Sequence, residues 1–338
     1  MPALEETIVA ENLTKRFGKQ TAIRDLNFSI SKGEIVGFLG PNGAGKSTTL
    51  RMLTGLLPAS SGKLSVCGFP VATNPHAVKG LIGYMPENNP LPEDMRVGEY
   101  LAFRAGIKGI PLRERKKRIG HALEVCELQH RAKGQIIGTL SKGFRQRVGI
   151  ADAILAAPPI TILDEPTIGL DPHQVLATRR LLDQLRGETT VIFSSHILSE
   201  VEISCDRILI LNQGNLVAKG TADELREEFI PGSRYRLTWQ GSLENLQELL
   251  QTSAPEWEIL ESESSGNTSV ATIKHPQHST EGHALLKLLI HEQLDILTFE
   301  KKNPSLEEIF LTATQRSWNL STPTTLSRKS PTPQEVNQ

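Results

Sequence analysis

No run of about 18 apolar residues, the length a membrane-crossing helix requires, occurs in this 338-residue chain. The nearest approach, Ile150-Ala-Asp-Ala-Ile-Leu-Ala-Ala-Pro-Pro-Ile-Thr-Ile-Leu-Asp164, is broken by charge and by proline. If the protein acts at a membrane, another chain is expected to span it. Cysteine is scarce: Cys67, Cys126 and Cys205 are odd in number and widely spaced. That excludes a disulfide framework and a cysteine metal site, and it suits a reducing compartment. Neither sign of charge dominates, with 37 basic residues against 38 acidic and a net charge of -1. Nucleic-acid affinity depends on Lys and Arg neutralising phosphates, so no nucleic-acid partner is expected. The first residues carry acids where a secretory signal would carry a basic segment and an apolar stretch, and no signal peptide is expected. Internal repeats and sustained heptads are also missing.

Hydrophobic residues at 38% and charged residues at 22% are ordinary for a packed globular chain. Apolar runs bounded by turn residues predict buried strands at Ile35–Leu39, Ile82–Tyr84, Ile160–Leu163 and Val191–Ser194, with helical periodicity between them. Strands alternating with helices imply an α/β fold with a parallel sheet. From about 95 to 156 the pattern is helical only and holds a basic surface run at Arg113–Arg118, which suggests an inserted helical subdomain. Arg207–Leu211 and Asn215–Ala218, joined by Asn212-Gln213-Gly214, predict a hairpin. Thr221-Ala-Asp-Glu224 is a capping box opening a helix that closes the first domain. The expected division is 1–230, then a smaller α/β domain at 231–316. That smaller domain has strands at Tyr235–Trp239 and Ser269–Ile273, helices at Leu243–Leu250 and His283–Glu292, and a last helix capped by Ser305 with Glu308. Residues 317–338, rich in Ser, Thr, Pro and Asn, are expected to form a disordered tail.

Chemistry first declares itself at Gly40-Pro41-Asn42-Gly43-Ala44-Gly45-Lys46-Ser47, followed by Thr48. This is the phosphate-binding pattern G-x-x-x-x-G-K-[ST], here after an expected strand and opening an expected helix. Glycines let backbone N–H groups wrap phosphates, the helix N-terminus favours anions, Lys46 reaches the outer phosphates and the Ser47 hydroxyl suits Mg²⁺. A second signal is Asp164-Glu165 at the end of an otherwise apolar strand. Ligands of parallel sheets sit beyond the C-terminal strand ends, so Asp164 is expected at the same Mg²⁺, with Glu165 placed to take a proton from water. By itself an acidic pair there would more often be a helix cap or a solvated turn.

These motifs, their spacing and the segment Leu140-Ser141-Lys142-Gly143-Phe144-Arg-Gln-Arg together resemble the ATP-binding subunits of ABC transporters over roughly Thr7 to Phe229. The resemblance implies a P-loop NTPase fold of ABC type. It aligns Ser141, Lys142 and Gly143 with the family signature L-S-G-G-Q, keeping the Ser and the second Gly while Lys142 and Phe144 depart. On the residues alone, that segment would be an ordinary helix cap. The resemblance implies that it closes over ATP held by an opposite subunit. Asp171 is aligned with the loop that crosses between subunits, although Asp171-Pro172 is also a good helix start. His196 is aligned with the histidine that contacts the γ-phosphate, and Phe17 with the ring that stacks on adenine. Glu87 stands where most members carry a Gln that contacts Mg²⁺ and the membrane interface. Ile82-Gly-Tyr-Met-Pro-Glu-Asn-Asn-Pro-Leu91 resembles in particular the gliding-motility and related exporter branch.

The implied protein uses ATP and Mg²⁺ and pairs head to tail with a second ATPase subunit, one complete motif set permitting a homodimer. It would power a multi-span membrane permease, in the direction of export, from the inner face of the cell membrane. A soluble ATPase of translation or DNA repair is the alternative, disfavoured because such chains carry two cassettes or a long coiled coil. A nonhydrolysing scaffold, suggested by Lys142, Phe144 and Glu87, is opposed by intact Lys46, Asp164, Glu165 and His196.

Overall fold

The computed structural model describes residues 5–129, 132–276 and 282–321. At its centre is a six-stranded sheet in the order Asn215–Gly220, Arg207–Asn212, Ile35–Leu39, Thr190–Ser195, Ile160–Asp164, Ile82–Met85. Every neighbouring pair is parallel except the hairpin Arg207–Asn212 with Asn215–Gly220. Ile35–Leu39, Ile160–Asp164 and Thr190–Ser195 are buried at every position, as unbroken apolar runs must be when both faces of a parallel sheet are covered. The hairpin turns through Gln213 and Gly214, whose φ of 48 and 79 are those of a two-residue turn matched to strand twist. Register aligns the strand ends: Leu39 lies opposite Ser195, and Asp164 opposite Ser194. Gly40, Glu165 and His196 therefore leave the sheet along one edge.

Ahead of Ile35, where the sequence pattern suggests no strand, the chain forms two twelve-residue strands, Glu6–Phe17 and Gln20–Ser31. They pair antiparallel with each other and join Ser61–Val66 and Phe69–Pro70 in a second sheet. Register shifts, and the positive φ of Asn12 and Asp25, break the two-residue alternation that would betray them. Their buried Ile8, Leu13, Ile23 and Ile30 share one core with Phe38 and Leu50.

The helical insertion comprises Val97–Ile107, Leu112–Val125 and Lys142–Ile154. It packs on the opposite face of the central sheet, with Leu101, Leu123 and Val148 in the cluster that contains Met85 and Leu163. Across the insertion, Arg104 donates to both carboxylate oxygens of Asp152 at 2.9 Å, and Lys108 donates to the Asp152 carbonyl at 2.5 Å.

After the capping box of Thr221 and Glu224 and its helix Ala222–Phe229, the chain forms a β-α-β-β-α-β unit. Its antiparallel sheet runs Glu258–Ser265, Thr268–His275, Ser233–Gln240, Asp295–Lys301, with helices Leu243–Ser253 and Gly282–His291. This is the ferredoxin-like arrangement, with its own core around Leu237, Trp239, Leu246 and Ile273. The last helix, Leu306–Ser321, starts at Ser305, whose hydroxyl accepts from the Glu308 N–H at 3.3 Å. It returns to the first domain, where Leu306, Ile309 and Ala313 join Val201, Leu225 and Phe229 in one core. The helix continues through Ser321, past the tail boundary expected at 316. The rest of that expected disordered tail, 322–338, lies outside the described residues.

Candidate functional site

A cavity of about 640 Å³ opens at the C-terminal edge of the central sheet, lined by residues 41–48 together with Glu87, Glu165 and His196. The phosphate loop owes its shape to sterics. Gly43 and Gly45 have φ of 80 and 108, which residues with a Cβ rarely adopt. Gly40 is required for a different reason: a Cβ there would lie 2.4 Å from the Leu211 carbonyl oxygen. The loop leads into the helix Lys46–Leu53, whose N-terminal end carries the positive pole of its dipole into the cavity wall.

Lys46 is buried. Its ammonium donates to the Gly40 carbonyl at 2.7 Å and lies 3.3 Å from Glu165 Oε1. The other carboxylate oxygen of Glu165 is 2.8 Å from His196 Nδ1. Glu165 is thus held between a cation and an imidazole, and its φ of 51 turns it out of the strand direction. Such a left-handed residue costs about 1–3 kcal/mol unless its surroundings hold it. One holding contact is the Glu165 N–H donating to Ser194 Oγ at 2.9 Å. Ser194 in turn donates to Asp164 Oδ1 at 2.6 Å, and the same oxygen accepts from the Ser47 hydroxyl at 3.2 Å.

Hydroxyl and carboxylate oxygens at this spacing suit a hard cation. Among the described residues no group of three or more His, Cys, Asp or Glu could cage a metal on its own. The Ser47 hydroxyl and the Asp164 carboxylate fit Mg²⁺, which takes one or two protein oxygens, keeps waters and shares phosphate oxygens with its substrate. Ser47 and Asp164 would hold it, with Glu87 at the cavity wall.

Two groups of expected residues lie apart from the cavity lining. Phe17 is half exposed at its strand end, across from the lining residue Gln20, with the Lys15 ammonium 5.0 Å from its ring centroid. Ser141, Lys142, Gly143 and Asp171 form a separate cluster. Ser141 Oγ accepts from the Phe144 N–H at 3.4 Å, capping Lys142–Ile154, and Asp171 accepts from the Gln174 N–H at 3.0 Å, capping Pro172–Leu185. The two caps adjoin, since a Cβ on Gly143 would meet the Gln174 side chain at 2.4 Å. Glu87 borders both regions, and Asn89 ties its segment to the Arg145 carbonyl at 2.9 Å.

The structure adds residues that sequence reasoning missed. Thr21, Ala22, Ile168 and Gln213 also line the cavity; no local pattern marks them, because strand pairing brings them there. Glu200 is buried, and its Oε2 accepts from Thr167 Oγ1 at 2.5 Å and from Ser195 Oγ at 3.2 Å. The available signal was a hydroxyl pair, Ser194-Ser195, at the end of an apolar strand.

A phosphate loop, an Mg²⁺-suited hydroxyl and carboxylate, and a second carboxylate at adjoining ends of parallel strands define a nucleoside triphosphatase of the phosphate-loop class. Residues 23–168 match the ABC transporter family, and residues 220–314 match the family described as ATP-binding protein DrrA1-3-like, C-terminal domain. The chain is 34% identical to the linearmycin resistance ATP-binding protein LnrL of Bacillus subtilis (strain 168), over 91% of this chain and 98% of that one. It is 35% identical to the bacitracin transport ATP-binding protein BcrA of Bacillus licheniformis, over 90% and 96% respectively. Among solved structures, an ATP-binding subunit of an ABC transporter superposes with a TM-score of 0.60 at 32% identity, covering 66% of this chain and 93% of its own. The dimeric bacterial ABC transporter cassette MJ0796 gives 0.58 at 27%, covering 63% and 98%.

The chain belongs to the ATP-binding subunits of ABC transporters, and it binds and hydrolyses ATP with Mg²⁺. No helix of the described residues is long and apolar enough to cross a membrane.

Proposed function

We propose that two copies of this chain pair head to tail, each ATP lying between the phosphate loop of one and the Ser141–Gly143 segment of the other. The observation that carries this reading is the split of the site. Lys46, Glu165 and His196 line one cavity, with Asp164 bonded to the lining residue Ser47, while Ser141, Lys142, Gly143 and Asp171 form a cluster outside that lining. Lys46 and the loop N–H groups, residues Gly40 to Thr48, hold the phosphates, and Phe17 stacks on the base. Ser47, Asp164 and Glu87 would hold Mg²⁺, which would supply positive charge to the phosphates. Glu165 accepts the proton of the attacking water, and His196, bonded to Glu165, orients that water and senses the γ-phosphate.

Work done on the nucleotide passes to a membrane permease seated in a groove of about 490 Å³ lined by Leu56, Tyr84, Arg104, Ile107 and Lys108. The chain thus sits on the cytoplasmic face of the membrane and drives export. Relatives whose names include linearmycin resistance and Nod factor export support that direction, and the Ile82–Leu91 segment supports the gliding-motility branch within it. We assign 1–230 to the ATPase domain, with its helical insertion at 95–156, and 231–316 to the smaller domain, whose closing helix from Leu306 packs back on the ATPase core.

The test is Glu165→Gln. Turnover should fall about 10²- to 10⁴-fold, the usual weight of a general base, while ATP-dependent dimer accumulates and a multi-span protein copurifies from native membranes in mild detergent. Unchanged turnover removes Glu165 from its role. Recovery of ribosomal or DNA-repair components without a membrane protein points to the soluble class instead.

A further inference from the structure

The helix Leu112–Val125 carries five basic residues and one acid between Arg113 and Arg118, and the ATP site uses none of them. At 3.6 residues per turn, Leu112, Lys116, Arg113 and Lys117 fall on one continuous stripe, and all four are exposed. The acid of the run, Glu114, is half-buried on another face. Arg113, itself largely in solvent, has one weak ion contact, to the half-buried Glu114 at 3.8 Å. Lys116 and Lys117 have no ion partner among the described residues.

Beside the stripe lies an apolar tip. Leu112 is 80% exposed, Ile107 60% and Phe103 57%. Phe103 and Ile107 share a face of their helix at the i, i+4 spacing. The turn between the two helices is firmly held: Ile110 is buried, and its carbonyl accepts from Arg115 Nε at 2.8 Å. The turn is therefore fixed, with apolar side chains exposed on both sides of it. Exposed apolar side chains bordered by solvent-facing Lys and Arg are what an interfacial helix presents to lipid headgroups. Ile107 also lines the groove assigned above to the permease, so the tip borders that groove.

We propose that the tip at Ile107–Leu112 and the Arg113, Lys116, Lys117 stripe rest on an anionic lipid surface beside the permease. The inference uses the membrane placement proposed above, but its chemistry is its own. An exposed helix face carrying Lys116, Lys117 and the solvent-exposed Arg113 suits a broad field of headgroups better than a single acidic peptide, which would call for a concave seat.

The test uses flotation of the full-length purified chain with phosphatidylcholine vesicles, with and without phosphatidylserine. Binding should require phosphatidylserine and weaken with salt. Arg113→Gln, Lys116→Gln and Lys117→Gln combined should cut affinity roughly a hundredfold, at about one kcal/mol per basic residue. Leu112→Ser alone should cut it several-fold, and neither variant should change the ATPase rate. Absence of wild-type binding, or equal binding by the triple variant, overturns the inference. If the wild type ignores vesicles while the triple variant loses its copurifying membrane protein, the stripe is a protein contact, and the lipid inference falls with the transporter reading intact. If vesicles bind as expected and no permease copurifies, the lipid inference stands and the transporter reading loses its support.

Discussion

Glu200 never touches the cavity, yet it links two loops that reach it. Its carboxylate receives the hydroxyls of Thr167, ahead of Asp171, and of Ser195, next to His196. Ser195 Oγ also accepts from the Ile197 N–H at 3.0 Å. Glu200→Ala would leave those hydroxyls unpaired in a buried place, a loss of about 1–3 kcal/mol. A lowered midpoint of denaturant unfolding and a reduced kcat are the expected results, with Glu200→Gln milder because it keeps an acceptor oxygen. Lys46, Asp164 and Glu165 were legible in the sequence because each sits at a strand end or in a phosphate loop, where chemistry and position coincide, whereas His196 was reached only through the family resemblance. Glu200 was not legible, because a helical acid followed by Val, Glu and Ile reads as an ordinary surface position until the fold buries it. Nor does any pattern before the fold say that Glu165 must take a left-handed backbone and share its two oxygens between Lys46 and His196.

Between elements, the firmest polar clamp of the helical insertion is Arg104 with Asp152, which joins Val97–Ile107 to Lys142–Ile154. Tyr100 lies against this clamp. Burial, and then the Asp152 carboxylate, push its hydroxyl from 10.0 up to about 12. The folded state therefore favours the neutral phenol, so its contribution to stability is complete below pH 10 and is lost as pH rises from 10 through about 12. Lys108 works in the opposite direction, since burial lowers its value from 10.5. Comparison with Tyr100→Phe isolates the phenol: between pH 10 and about 12 the thermal midpoint of the wild type should fall further than that of the variant. The same scale shows where pattern reading succeeds. The Arg207–Asn212 hairpin and the Thr221 capping box follow from short-range chemistry and appear as expected. Glu6–Phe17 and Gln20–Ser31 escaped because bulges at Asn12 and Asp25 scramble the alternation that identifies a strand.

For the whole molecule, head-to-tail pairing makes a demand that side-by-side pairing with self-contained sites does not. Lys46→Ala disables one chain's phosphate loop, and Ser141→Arg disables the other's closing segment. Each variant alone should be inactive. Mixed, they should regain activity, because one of the two shared sites then combines an intact loop with an intact Ser141. ATP turnover of the mixture measures this, and its failure to exceed the sum of the parts would place both motifs in a single chain's site. A last consequence concerns synthesis. Leu306, Ile309 and Ala313 seal the same core as Val201, Leu225 and Phe229, so the ATPase domain lacks one wall until Ala313 has left the ribosome. At roughly 5–20 residues per second, the interval between Ile230 and Ala313 is on the order of ten seconds. During it, the ferredoxin-like unit folds beside a nascent ATPase whose apolar cleft is still open, and a chain that stalls there displays the mark by which chaperones and proteases recognise unfinished protein.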